Sequence, residues 1–212
     1  MSRATDAAQR GVDVCVALAV LVLLSPVLVL VAVLVRTRLG SPVLFRQPRP
    51  GRHGDPFTLV KFRTMRDVDP ERGLVTDADR LTRLGRLLRS TSLDELPTMW
   101  NVLRGHMSLV GPRPLLLRYL DRYTPEQARR HLVRPGVTGL AQVRGRNELS
   151  WDEKFALDVW YVENRSIALN VRICAETVLA VLRREGISAA GDATMPEFVR
   201  ASTAQPHPPS GS

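Results

Sequence analysis

From Val12 to Val35 the chain is apolar without interruption except at Asp13, Ser25 and Pro26. A single helix of that length reaches about 36 Å, enough to cross a hydrocarbon core of about 30 Å. The run is too long for a signal-peptide core. It is followed by Arg36, Arg38 and Gly40 rather than a small-residue cleavage site, so it is expected to be retained. Ser25-Pro26 falls near its middle, where proline removes a backbone donor and sets up a kink. Arg3 and Arg10 precede the run and Arg36 and Arg38 follow it, so basic flanks assign neither end to one side of a membrane. Two arrangements fit these residues: a helix bent at Pro26 that enters and leaves by the cytoplasmic face, or a kinked helix that spans.

The chain of 212 residues is long enough for one domain with a substantial core. Its formal net charge is +9, and Lys61 and Lys154 are its only lysines, so arginine carries the positive charge. The guanidinium fork matches phosphate oxygens in pairs, which favours phosphate-bearing partners. Nucleic acid is disfavoured: aromatic residues make up 5% of the chain, and no basic stretch is interleaved with stacking rings. Lipid headgroups and nucleotide sugars remain. Cys15 and Cys174 sit in apolar stretches without metal-ligand spacing and read as buried, reduced, inert thiols.

Val43 to Gln47 and Phe57 to Met65 are short β-rich runs separated by Pro48, Pro50, Gly51, Gly54 and Pro56, which predicts two strands joined by an open loop. Arg80 to Arg89 places Leu81, Leu84, Leu87 and Leu88 on one face and Arg80, Arg83 and Arg86 on the other, the pattern of a helix lying in a membrane interface. Helices are expected over Leu115 to Tyr123 and over Pro125 to Val133. Ser150 and Glu153 form a capping box that opens a helix running to about Glu163, and another helix runs from about Ile167 to Glu185. The Pro- and Ser-rich end has too little apolar content to fold. The fold class expected is α+β: a mainly helical catalytic body with a small β-hairpin. Residues 1–40 form the membrane-embedded segment, 41–187 the body and 188–212 a disordered tail.

The densest set of polar residues with special geometry runs from Arg89 to Arg113. Asp94-Glu95-Leu96-Pro97 opens a helical stretch ending near Gly105, because proline is tolerated only in a first turn. Unpaired amides at a helix start favour an ionised Asp94 and attract phosphate. Taken alone, Ser92 or Asp94 reads as a simple cap. The surroundings add weight to chemistry: Arg89 precedes the pair, Arg113 follows between two prolines, and Lys61 and Arg63 share a strand face at period two. A carboxylate pair among phosphate-binding cations suits phosphoryl transfer, one carboxylate attacking phosphorus and the other holding a divalent metal.

Five motifs in order carry a family resemblance: Lys61-Phe62-Arg63-Thr64-Met65, Ser92-Leu93-Asp94-Glu95-Leu96-Pro97, Asn101-Val102-Leu103-Arg104-Gly105, Met107 to Pro114, and Arg134-Pro135-Gly136-Val137-Thr138-Gly139. Over about residues 10 to 187 the chain resembles the bacterial sugar transferases, the monotopic polyprenyl-phosphate phosphoglycosyltransferases. The resemblance implies that Asp94 attacks the sugar-bearing phosphate of a UDP-sugar, releasing UMP, and that polyprenyl (undecaprenyl) phosphate then takes the phosphosugar. It implies Glu95 as a Mg2+ ligand, Arg89 and Arg113 as phosphate-handling arginines, beside which Lys61 and Arg63 read from their strand face as further phosphate-binding cations, and the segment from Arg134 through Gly136, Thr138, Gly139, Gln142 and Arg146 as the nucleotide site. It implies a re-entrant helix broken at Ser25-Pro26, and a body on the cytoplasmic face of the inner membrane that begins exopolysaccharide, O-antigen or glycoprotein glycan assembly. Larger members carry an extra membrane domain before the catalytic part, so the minimal form is expected here. The chain departs from the family pattern at Leu140, Arg144 and Asn170, where tryptophan, asparagine and aspartate are common. A different class, a membrane-anchored basic adaptor without turnover, is separated from this reading by UMP release.

Overall fold

The computed structural model of the chain describes residues 3–145, 149–183 and 197–198. The apolar run forms two helices, α1 (Arg3–Leu23) and α2 (Ser25–Leu39), bent by 63° where they meet. Pro26 has no N–H to give the carbonyl one turn back, at Val22. The Ser25 hydroxyl donates to that carbonyl instead, at 2.8 Å, so the break leaves no orphan acceptor there. Among the described residues no single helix is long and apolar enough to cross a membrane.

The first turns of α1 belong to the body. The Arg10 guanidinium donates to the carbonyls of Val102 at 2.6 Å and Leu103 at 2.8 Å, and Asp13 accepts from the Leu109 amide at 3.0 Å. Asp13, the one charge in the apolar run, is therefore a buried anchor to the body. Past it Val16, Leu18, Val22 and Leu23 stand exposed, as do Val29, Leu30 and Val33 on α2, and Cys15, expected to be buried, is exposed with them, while Cys174 is half-buried. The other face of α2 returns to the body, with Val31 and Val35 packed against Phe62 and Leu88.

Strands β1 (Leu44–Pro50) and β2 (Pro56–Phe62) form the expected antiparallel hairpin, with Leu44 opposite Phe62 and Pro50 opposite Pro56. Two prolines fit in β1 because a two-stranded sheet leaves alternate donors outside the ladder. The basic helix expected over Arg80 to Arg89 is broken: α3 (Asp77–Arg80) stops, and α4 (Arg83–Ser90) starts afresh. Thr82 is the reason, its hydroxyl accepting from the Gly85 amide at 2.9 Å as a new N-cap. Gly85 also lets α4 cross close to the chain that leaves β2, since a Cβ there would stand 2.0 Å from the Thr64 carbonyl oxygen.

A six-residue 3₁₀ helix, Leu93–Thr98, runs into α5 (Met99–Leu103). Next come β3 (Ser108–Val110), a 3₁₀ turn at Leu117–Arg122, α6 (Pro125–Ala128) and a further 3₁₀ turn at Arg129–Leu132. The two expected helices in this region are thus short turns. β4 (Gly136–Thr138) pairs parallel with β3, and α7 (Leu140–Arg144), α8 (Trp151–Asn164) and α9 (Ile167–Arg183) complete the α+β body. α8 opens on the expected capping box, the Ser150 amide donating to Glu153 at 2.8 Å. The expected unfolded tail differs at Glu197 and Phe198. Phe198 is buried among Tyr119, Tyr123, Trp151 and Phe155, and Glu197 pairs with Arg118 and Arg122.

Candidate active site

The segment that carries Asp94 is laced to β2 as a third strand would be. Asn101 donates to the Thr58 carbonyl at 2.7 Å and accepts from the Val60 amide at 3.1 Å, while the Thr98 hydroxyl donates to the Val60 carbonyl at 2.9 Å. These bonds satisfy the open edge of the strand and set the Leu93–Thr98 turn beside Lys61. The approach begins at Ser92, which adopts a left-handed conformation (φ 55°) and makes no side-chain cap bond. Ser92 is therefore a turn residue and not the simple cap it reads as in isolation.

Asp94 is buried, at 5% exposure, and its carboxyl is pushed up to about 6. Desolvation is the main cause and the neighbouring Glu95 carboxylate the second, against which Lys61, Arg89 and Arg113 pull downward. This corrects the expectation that helix-start amides would favour the ionised form. The turn is a short 3₁₀ segment, and loss of water outweighs its amides. Lys61 is lowered by the same desolvation, partly offset by Asp94. Arg89 donates to the Thr64 hydroxyl at 3.2 Å. Arg113 and Glu95 form an ion pair at 2.8 Å, with the Arg113 side chain half-exposed, so this pair lies at the mouth and Asp94 beneath it.

Lys61, Arg89, Arg113, Asp94 and Glu95 are thus brought together. Arg63 is not with them. β2 ends at Phe62, and the Arg63 guanidinium turns back to the carbonyls of Leu39 and Ser41 and to Asp67, closing the end of α2. The segment expected to hold the nucleotide is built largely as backbone packing. A Cβ on Gly136 would lie 2.1 Å from the Gly111 nitrogen, and one on Gly139 would lie 2.2 Å from the Gly111 oxygen. Thr138 shares a 2.7 Å hydrogen bond with Thr177, whereas Gln142 keeps a buried side-chain oxygen without a partner in the structure. Arg134 donates to the Gly105 carbonyl and lines a polar cleft with Asp6, Arg10, Asp13, Arg52 and Arg165. Arg146 lies outside the described residues. Of the three departures, Leu140 is buried in a core cluster and Asn170 accepts from the Tyr161 hydroxyl at 2.8 Å, so both have packing roles.

Reading from sequence missed the support behind Arg113: Arg49, Arg130 and Asp158. The visible signal was Asp158 itself, a lone carboxylate three residues from Phe155 on the buried face of α8.

Among the described residues there is no cluster of three or more His, Cys, Asp or Glu side chains. The adjacent pair Asp94 and Glu95 is nonetheless a fitting donor set for Mg2+, which keeps several waters and binds through one or two carboxylates together with substrate phosphates. The Glu95 carboxylate raises the proton affinity of Asp94, and a cation between them relieves that repulsion.

The family model described as bacterial sugar transferase matches residues 4–184. The chain belongs to the bacterial sugar transferase family. It is 51% identical over 191 residues to the uncharacterized sugar transferase EpsL of Bacillus subtilis, covering 90% of this chain and 95% of that protein. It is 42% identical over 191 residues to a UDP-glucose:undecaprenyl-phosphate glucose-1-phosphate transferase of Caulobacter vibrioides, covering 84% and 71% respectively. It is 38% identical over 196 residues to the undecaprenyl-phosphate galactose phosphotransferase of Salmonella typhimurium, 84% of this chain but only 41% of that relative. Membership in this transferase family makes the Asp94 cluster the place to look for chemistry.

Proposed function

We propose that this bacterial sugar transferase moves a sugar 1-phosphate from a UDP-sugar to polyprenyl phosphate, with Asp94 as the nucleophile. The observation that carries the reading is a buried carboxylate under the charge of Lys61, Arg89 and Arg113. The names of the Caulobacter and Salmonella relatives supply the substrate classes. An ionised Asp94 oxygen attacks the sugar-bearing phosphorus, the bond from that phosphorus to the UMP oxygen breaks, and UMP leaves with the electron pair. A phosphate oxygen of the polyprenyl carrier then attacks the same phosphorus. The aspartyl bond breaks, the carboxylate is regenerated, and the sugar leaves on a lipid diphosphate. Arg113, Arg89 and Lys61 face the charge that builds on the phosphoryl oxygens. Glu95 would hold Mg2+, whose positive charge neutralises phosphate oxygens when bound.

The seating of α1 and α2 supports a re-entrant membrane anchor. Arg10 and Asp13 at one end and Val35 at the other dock on one body, so both ends lie on one side and the exposed apolar turns around Leu24 point away. Each apolar leg is roughly 16–18 Å long, short of a hydrocarbon core of about 30 Å. The body then sits on the cytoplasmic face, where nucleotide sugars are made.

The test is UMP release from a panel of UDP-sugars with polyprenyl phosphate and magnesium. Turnover is expected, with Glu95→Gln requiring more magnesium for half-maximal rate. A protein that releases no UMP from any of them is the basic adaptor instead.

A further inference from the structure

Arg113 reaches Glu95 through a half-exposed side chain, so little packing holds its guanidinium in place. Its backbone is a different matter. It lies between Pro112 and Pro114, whose rings fix φ and drive the residue before each of them toward extended geometry. Three consecutive carbonyls are then pinned from three separate elements. Pro112 O accepts from the Gly136 amide at 3.0 Å, Arg113 O from Arg130 Nη2 at 2.8 Å, and Pro114 O from Arg49 Nη1 at 3.2 Å.

Arg130 is the centre of this clamp. Both its Nε, at 3.0 Å, and its Nη2, at 2.6 Å, donate to one oxygen of Asp158, and its Nη1 donates to the Tyr123 hydroxyl at 3.3 Å. Its guanidinium carbon lies 5.7 Å from the Tyr123 ring centre and 5.5 Å from that of Phe155. The ion pair is buried, with side chains 2% and 6% exposed. Such a pair adds little stability over an apolar pair of equal volume, so holding the fold together does not account for it. What an apolar pair lacks is a donor aimed at the Arg113 carbonyl.

We propose that Arg130, oriented by Asp158, is a positioning residue that sets Arg113 at the mouth of the active site. It touches no substrate, and its effect passes through Arg113. This rests on the reading of Arg113 as a phosphate-handling group. Displacing a charge-stabilising group by about 1 Å costs up to about 100-fold in rate, and the loss falls on turnover more than on capture.

The test is a double-mutant cycle on UMP release by the full chain in detergent or vesicles. Arg130→Lys keeps the charge against Asp158 but loses the fork that also serves Arg113. It is expected to lower kcat by about 10–100-fold while KM for the UDP-sugar moves less than about 3-fold. In an Arg113→Ala background the same change is expected to lower kcat by less than about 2-fold, because the positioned group is already gone. A purely structural role gives full, multiplicative losses in both backgrounds and overturns the proposal, as does an Arg130→Lys protein with wild-type kcat. Should Arg130→Lys melt out, the volume-matched pair Arg130→Met/Asp158→Leu carries the same cycle, since apolar replacement of a buried ion pair preserves folding. Wild-type protein that releases no UMP overturns the functional reading itself and this inference with it. Wild-type turnover with additive losses overturns this inference alone.

Discussion

At Asp94 a carboxyl that is 5% exposed has been pushed up to about 6 by desolvation, with Glu95 adding to the shift. The folded state therefore binds a proton that the unfolded chain releases near 3.8. Between those values stability falls as pH rises, and above about 6 the buried charge costs at most about 3 kcal/mol. Asp94→Asn resembles the protonated form, so at pH 7.5 it should melt above wild type. Below about pH 3, where the carboxyl is protonated in the folded and the unfolded chain alike, the difference should vanish. Thermal melts across that range check it, and equal melting temperatures at both ends would mean that Asp94 is not desolvated. If Asp94 is the nucleophile proposed, UMP release should rise with pH through about 6 as its carboxylate ionises. Much of this cluster was legible because Asp94, Glu95, Arg89 and Arg113 lie close together in sequence. Arg63 misled because period-two alternation holds only while the strand lasts, and β2 ends one residue earlier.

The element that places Asp94 is the Leu93–Leu103 stretch, and Asn101 is its tie to β2. Asn101→Ala leaves the Thr58 carbonyl and Val60 amide without their partner in a part-buried setting, which costs about 1–2 kcal/mol. Urea denaturation should show that loss, and UMP release should fall as Asp94 moves relative to Lys61. Unchanged stability would mean that the edge of β2 is satisfied some other way. At this scale the hairpin and α8 were readable, because Pro/Gly punctuation and a capping box are local signals. The β3–β4 pair was not. Strands of three residues carry no period, and their pairing depends on Gly111 and Gly136 meeting from distant parts of the chain. The break before α4 was missed because Thr82 was counted within one leucine stripe, although its hydroxyl starts a helix of its own.

Across the whole molecule, the bent pair α1 and α2 is fastened to the body at both ends. Cysteines placed by Arg3→Cys and Arg38→Cys, in a chain lacking Cys15 and Cys174, should both resist a membrane-impermeant reagent added outside the cell. Labelling of one alone would show a spanning helix. Replacing Ser25 and Pro26 by leucine should straighten the bend and lower UMP release without touching a catalytic side chain, because straightening pulls one docked end off the body. The bend in the apolar run announced itself in the sequence through Ser25-Pro26. Its fastening did not, since Arg10 and Asp13 bond to backbone at 102, 103 and 109, far along the chain.

The proposed mechanism requires a covalent phosphosugar at Asp94, and intact-protein mass spectrometry after mixing with a UDP-sugar and magnesium, without lipid acceptor, reads it directly. The wild-type chain should gain the mass of one phosphosugar, located by peptide mapping to Asp94 and discharged on adding polyprenyl phosphate, and Asp94→Asn should gain none. An adduct on another residue, or sustained turnover by Asp94→Asn, would contradict the account.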